Sequence, residues 1–127
     1  MLFSKKNKEH FIVKGTGKLL RQFIYSQDLA KLIMWILENY NEKEPIILSV
    51  GEKDEISIEY IARQIAKNYN YEHMIKFDTS FSDGQFKKTA DNSKLIELYG
   101  DYEFTTIEEG IENNIKWFIN NYEICRK

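Results

Sequence analysis

The sequence predicts an α/β domain, a small mixed sheet with three to four helices, and three observations lead there. Short strand-like apolar segments alternate with segments of helical period along the chain. Ile46 to Val50 is a five-residue stretch, apolar but for Ser49 and closed by Gly51, the pattern of an interior strand in a parallel or mixed sheet. Ile58, Ile61, Ala62, Ile65, Ala66 and Tyr69 fall on one helical face, with Arg63, Gln64, Lys67 and Asn68 opposite. At 127 residues the chain is one domain long, since domains run ~100–200 residues. About two-thirds of the extended-chain surface can be buried at this size, enough for a core. With 43% hydrophobic and 30% charged residues and a single Pro, the composition is globular and excludes collagen-like or low-complexity chains.

Taken in order, Met1 to Glu9 reads as a frayed basic arm, residues 1–9, ahead of a domain spanning residues 10–127. Phe11 to Val13 reads as a strand, Gly15-Thr16-Gly17 as a turn and Gln22 to Tyr25 as a second strand, together a hairpin. Ser26 or Asp28 has the chemistry to cap a helix beginning near Leu29. Leu32 to Leu37 makes that helix apolar on nearly every side, so it needs cover on more than one face. Ser57 is the expected cap of the helix through Tyr69, and His73 to Phe77 is a further strand. Asp78 to Ala90 is a long polar loop of the kind that often carries function. Asn92 or Ser93 starts a short helix that Gly100 suits as an end. Thr106 and Glu109 have capping-box spacing at the start of the last helix, where Ile107, Ile111, Ile115, Phe118 and Tyr122 recur at near-helical intervals.

Charge and composition exclude several classes. Eighteen Lys and Arg against twenty Asp and Glu leave a net charge of −2, so no bulk positive charge argues for nucleic-acid binding. The charge is uneven: Lys5, Lys6, Lys8, Lys14, Lys18, Arg21 and Lys31 face only Glu9 and Asp28 in the first quarter of the chain. The longest apolar run, Leu32 to Leu37, is far short of the ~20 residues of a membrane span. The lone Cys125 has no internal disulfide partner, and no Cys/His spacing suits zinc. A cytoplasmic location is the expectation.

Gly15-Thr16-Gly17-Lys18 fails both phosphate-loop patterns. Leu19 follows the lysine where a Walker loop needs Ser or Thr, and no third small residue opens a helix as a dinucleotide fingerprint requires. No Tyr-x-x-x-Lys pair occurs, and His10 and His73, each preceded only by an adjacent glutamate, are read as exposed or strand-end imidazoles, so local spacing assembles no nucleophile, base and orienter. What remains is a set suited to anions: Lys14 and Arg21 flanking the glycine turn, and Asp83, Lys87 and Lys88 in the long loop. Arginine's planar fork holds two phosphate oxygens, while an aspartate accepts from a ribose hydroxyl. Ordinary surface charge is the bland alternative for the same residues.

The stretch from Gly15 to Ala30, with Arg21, Phe23, Tyr25, Asp28, Leu29 and Ala30, resembles the R-x-F-x-[YH]-x-x-D-[LM]-A segment of extended short-chain dehydrogenases acting on nucleotide sugars. Ile46 to Gly51, Ser57-Ile58-Glu59, Lys76 to Thr79, Ser82 to Leu95, Trp117-Phe118 and Asn121-Tyr122-Glu123 extend the resemblance over residues ~11 to 127. They are similar to the branch of that family that epimerises a GDP-linked keto-sugar and reduces it with NADPH.

The resemblance implies that this is the C-terminal substrate domain of such an enzyme, with the Rossmann domain missing. It implies that Arg21 holds the GDP diphosphate and that Asp83 with Lys88 lies in a loop closing over nucleotide and sugar. Lys14 stands where many members have a substrate-contacting tryptophan. The hydride-transfer Ser, Tyr and Lys, the epimerisation Cys and His, the NADP site and the main homodimer contacts are expected in the absent half, so no catalytic residue is assigned here. A stand-alone nucleotide-sugar-binding module, a protein-interaction domain and a part of another nucleotide-sugar epimerase or dehydratase are the competing readings. In an isolated substrate domain one face of the all-apolar helix should stay uncovered. The chain is therefore expected to bind a hydrophobic dye or to associate; cooperative unfolding as a monomer with no dye binding would overturn that expectation.

Overall fold

The computed structural model describes residues 2–125. Its elements are α1 (Leu2–Asn7), β1 (Phe11–Lys14), β2 (Leu20–Arg21), α2 (Ser26–Asn39), β3 (Ile56–Ser57), α3 (Ile58–Asn68), β4 (Ile75–Asp78), α4 (Ser93–Tyr99) and α5 (Ile107–Asn120). The α/β class and the small, mixed strand content stand: β1 pairs with β4 in parallel and β2 with β3 antiparallel. The expected hairpin does not form. Gly15 and Gly17 both take positive φ, turning the chain away after β1, and the Gly15 N–H bonds the Asp78 carbonyl of β4. A parallel partner needs a long crossover, and here it contains α2 and α3. The second strand is Leu20–Arg21, two residues earlier than Gln22 to Tyr25.

Ile46 to Val50 forms no ladder. Side chains satisfy its carbonyls instead: Asn92 Nδ2 donates to Ser49 O at 2.9 Å and Gln22 Nε2 to Val50 O at 2.7 Å. A carboxamide carries the same donor and acceptor as a peptide group, so it replaces a neighbouring strand. The N-terminal arm is also more ordered than expected. Residues 2–7 are helical, Lys5 Nζ donates to Tyr69 O at 2.6 Å, and Tyr71 hydroxyl donates to Glu9 O at 2.9 Å.

The helices follow their local signals where those are strongest. Ser57 Oγ accepts from the Tyr60 N–H and Thr106 Oγ1 from the Glu109 N–H, satisfying amides that a helix start leaves unpaired. Gly100 ends α4 at φ +87°. Ala62 and Ala66 of α3, Tyr69 just past its end and Ile111 of α5 are buried with Leu32, Val50, Tyr71 and Leu95 as the core. Gly110 lets α5 approach the Tyr25 ring, which a Cβ there would meet at 3.4 Å.

Asp28 is not a cap. It sits in the first turn of α2, and its side chain is buried and turned inward, accepting from the Thr105 N–H at 2.8 Å and the Tyr102 hydroxyl at 3.1 Å. It thereby ties α2 to the segment that leads into α5. Burial, followed by the bond to Asp28, pushes the Tyr102 phenol up to about 12. Leu32 of α2 is fully buried, whereas Ile33, Met34 and Leu37 are 45%, 57% and 73% exposed. One side of the apolar helix is therefore uncovered, as the resemblance to an isolated substrate domain implied. Asp28→Ala would leave the half-buried Thr105 amide and Tyr102 phenol without their acceptor, at a cost of roughly 1–3 kcal/mol. Urea denaturation checks this, and a loss under about 0.5 kcal/mol, the range of ordinary surface substitutions, would refute the tether.

Candidate functional site

The loop from Asp78 to Ala90 lies alongside residues 14–22 and runs in the same direction. Lys14 pairs with Asp78 at the end of the β1–β4 ladder, and its Nζ stands 4.4 Å over the Phe81 ring. Thr16 meets Asp83: the carboxylate accepts from the Thr16 N–H at 2.9 Å and from its hydroxyl at 2.5 Å. The Leu20 N–H bonds Phe86 O at 2.9 Å, and Leu20 forms a parallel bridge with Lys87. Gln22 closes the row, its Oε1 accepting from the Ala90 N–H at 2.7 Å and its Nε2 donating to Ala90 O at 3.0 Å.

Two glycines make this approach feasible. A Cβ on Gly15 would collide with Asp83 Oδ1, and one on Gly17 would reach Phe77 Cε1 at 2.5 Å. Both also sit at φ near +80°, where L-residues with side chains are strained.

Arg21, half-buried on β2, grips the loop from below. Its Nη2 donates to Gln85 O at 2.9 Å and its Nη1 to Phe86 O at 3.3 Å and Leu20 O at 2.5 Å. These three bonds use three of the five guanidinium hydrogens, leaving the Nε–H and one Nη2 hydrogen. Lys88 is exposed and has no hydrogen bond or ion pair among the described residues. Lys87 is spent internally, on Glu52 and on Glu55 at 3.3 Å.

The structure thus puts Lys14, Arg21, Asp83 and Lys88 on two adjacent parallel segments. Lys87, read from sequence as part of the anion-binding set, is committed to carboxylates instead. Thr16, Gln22, Phe81 and Glu55 position the loop and carry no sequence motif. Gln22 alone leaves a trace, as a polar residue beside apolar Phe23 and Ile24. His10 Nδ1 lies 3.3 Å from Met74 O and His73 packs edge-on against Tyr71, so both imidazoles are strand-end features. No group of three metal-ligating side chains occurs among the described residues.

Residues 2–51 match the family model described as the NAD dependent epimerase/dehydratase family. Among known proteins, the chain is similar to GDP-L-fucose synthases. It is 53% identical to the GDP-L-fucose synthase of Dictyostelium discoideum over 96% of this chain and 38% of that protein. It is 48% identical to the probable GDP-L-fucose synthase of Drosophila melanogaster over the same shares. The solved GDP-L-fucose synthetase of Naegleria fowleri bound to NADP, 42% identical, superposes with a TM-score of 0.96 over 99% of this chain and 39% of that one. The chain therefore spans well under half the length of these relatives.

The Thr16 hydroxyl first, then its amide and nearby Lys18, holds the Asp83 carboxyl below its ordinary value against a smaller effect of desolvation. A depressed carboxyl contributes above the ordinary aspartate value of about 3.9 and stops contributing as pH falls through its own lower pKa. The Thr16 amide resonance should therefore titrate with a midpoint below about 3.9. A midpoint at or above that value, or no titration, would refute the latch.

Proposed function

We propose that residues 10–127 form the nucleotide-sugar-binding part of a GDP-L-fucose synthase. Such an enzyme converts GDP-4-keto-6-deoxy-D-mannose to GDP-L-fucose by epimerisation at C3 and C5 and NADPH reduction at C4. The observation that carries this is the alignment of Arg21 with the Asp83 to Lys88 loop, two sequence-distant segments that share cationic and hydroxyl-accepting groups. In this reading the free Nε–H and Nη2 hydrogen of Arg21 hold the diphosphate and Lys88 adds a second positive charge. Asp83 accepts from a sugar or ribose hydroxyl through lone pairs not taken by Thr16. Lys14, braced on Phe81, supplies charge beside the sugar.

The described residues do not fit NADP. The Gly15 to Gly17 turn leads into β2 rather than a helix N-terminus, and Asp83 fills the space that Gly15 leaves. Dinucleotide binding and hydride transfer are accordingly assigned to a Rossmann domain outside this chain, with the uncovered side of α2 as its expected seat. On its own the chain would bind and not turn over. A cytoplasmic enzyme, homodimeric through its other half, fits the same reading. No helix among the described residues is long and apolar enough to cross a membrane.

Titration calorimetry with GDP and GDP-fucose tests the site. Arg21→Ala should lose roughly 1.5–3 kcal/mol of binding, the worth of a charge-assisted hydrogen bond, with its fold checked by thermal melting. Equal affinities for the two proteins would remove Arg21 from the site. If GDP binds but a mixture with a Rossmann partner never oxidises NADPH on the keto-sugar, the stand-alone binding module is the better description.

A further inference from the structure

Lys87 and Lys88 are consecutive, identical in chemistry and placed in the same loop, but their surroundings differ sharply. The Glu55 side chain is only 3% exposed and is held by two donors: Lys87 Nζ at 3.3 Å and Thr89 Oγ1 at 2.5 Å. Exposed Glu52 is a second carboxylate on the same ammonium. A carboxylate taken out of water needs both a counter-charge and hydrogen bonds. Lys87 cannot swing to a ligand without stranding Glu55.

The backbone makes the other half of the arrangement. Lys87 and Thr89 both reach Glu55, as residues two apart do in extended chain, and Lys87 is bridged in parallel to Leu20. Successive side chains of an extended segment point to opposite faces. Lys88, between them, is therefore directed away from Glu55, and it is exposed and unpaired among the described residues. The bond to Glu52, followed by that to Glu55, also raises the Lys87 ammonium above its ordinary value, so it stays charged and bound in place.

We infer that Glu55, backed by Glu52, is a positioning residue that sorts the two lysines, locking Lys87 inward so that Lys88 is the amine presented to a diphosphate. This deepens the nucleotide-binding reading above and rests on it for the identity of the anion. Glu55 itself touches no ligand and acts only through the loop.

The test is acetylation of the native chain with an amine-reactive ester, followed residue by residue by mass spectrometry, with and without GDP. Lys88 should react several-fold faster than Lys87, and GDP should slow Lys88 alone. In Glu55→Gln, which keeps the shape and an acceptor for Thr89 but not the charge, Lys87 should become clearly more reactive, and with Glu52→Gln added it should become as reactive as Lys88. Lys88→Ala should weaken GDP binding roughly 10- to 150-fold in the native background, and by clearly less beside Glu55→Gln, where a freed Lys87 can substitute. Should Glu55→Gln fail to fold, Glu52→Gln on the exposed partner should give a change in the same direction.

Equal labelling of the two lysines in the native chain overturns the inference, as does shielding of both by GDP or an undiminished effect of Lys88→Ala beside Glu55→Gln. If GDP does not bind at all, the nucleotide reading falls. The sorting is then decided by the labelling contrast in free protein and by its narrowing on removing the Glu55 charge.

Discussion

The pairing of residues 14–22 with residues 78–90 is the constraint on which the rest depends. Its bonds come from several sources: a ladder between β1 and β4, main-chain bonds at Gly15 and Leu20, and side-chain bonds from Thr16, Arg21 and Gln22. None is strong alone, since a typical hydrogen bond contributes a net ~0.5–1.5 kcal/mol. Distributed along the whole segment, they convert a polar loop into a second rail beside the glycine turn. A loop without such ties would keep most of its conformational freedom, and a ligand would have to offset the entropy of ordering it.

Whatever depends on neighbours in sequence was legible in the sequence. The caps at Ser57 and Thr106, the buried face of α3 and the end of α4 at Gly100 are local, set within one or two helical turns by side-chain oxygens, spacing and a positive φ. Strand partnership was not, because period and turn residues identify an extended segment without naming what lies next to it. Phe11 to Val13 was correctly extended, but its partner is β4 across α2 and α3 rather than the next segment. Ile46 to Val50 has the composition of an interior strand, and two carboxamides, Gln22 and Asn92, took the place of the neighbour.

The candidate site was legible as a set of residue types and not as a set of contacts. Arg21, Asp83, Lys14 and Lys88 are singled out as residue types suited to an anion, the resemblance adding roles for Arg21, Asp83 and Lys88, whereas Thr16, Phe81 and Glu55 act only because the chain brings distant segments together. Asp28 shows the opposite error. Its type and place suit a helix cap, yet its partners are Thr105 and Tyr102, more than seventy residues away. The basic front of the chain divides in the same way: Lys5 and Lys6 are used on Tyr69 O and the Tyr122 ring, so the excess charge there is partly structural.

The contact between Gly15 and Asp83 bears on how this protein can change over generations. The carboxylate occupies the volume that any side chain at position 15 would claim, while Thr16 anchors that carboxylate by two bonds. The two sites are therefore tied together in descent: a lineage that replaces the glycine must also swing the carboxylate off Thr16 or rebuild a turn held at φ +87°. An aspartate that latches the loop through Thr16 is correspondingly hard to lose.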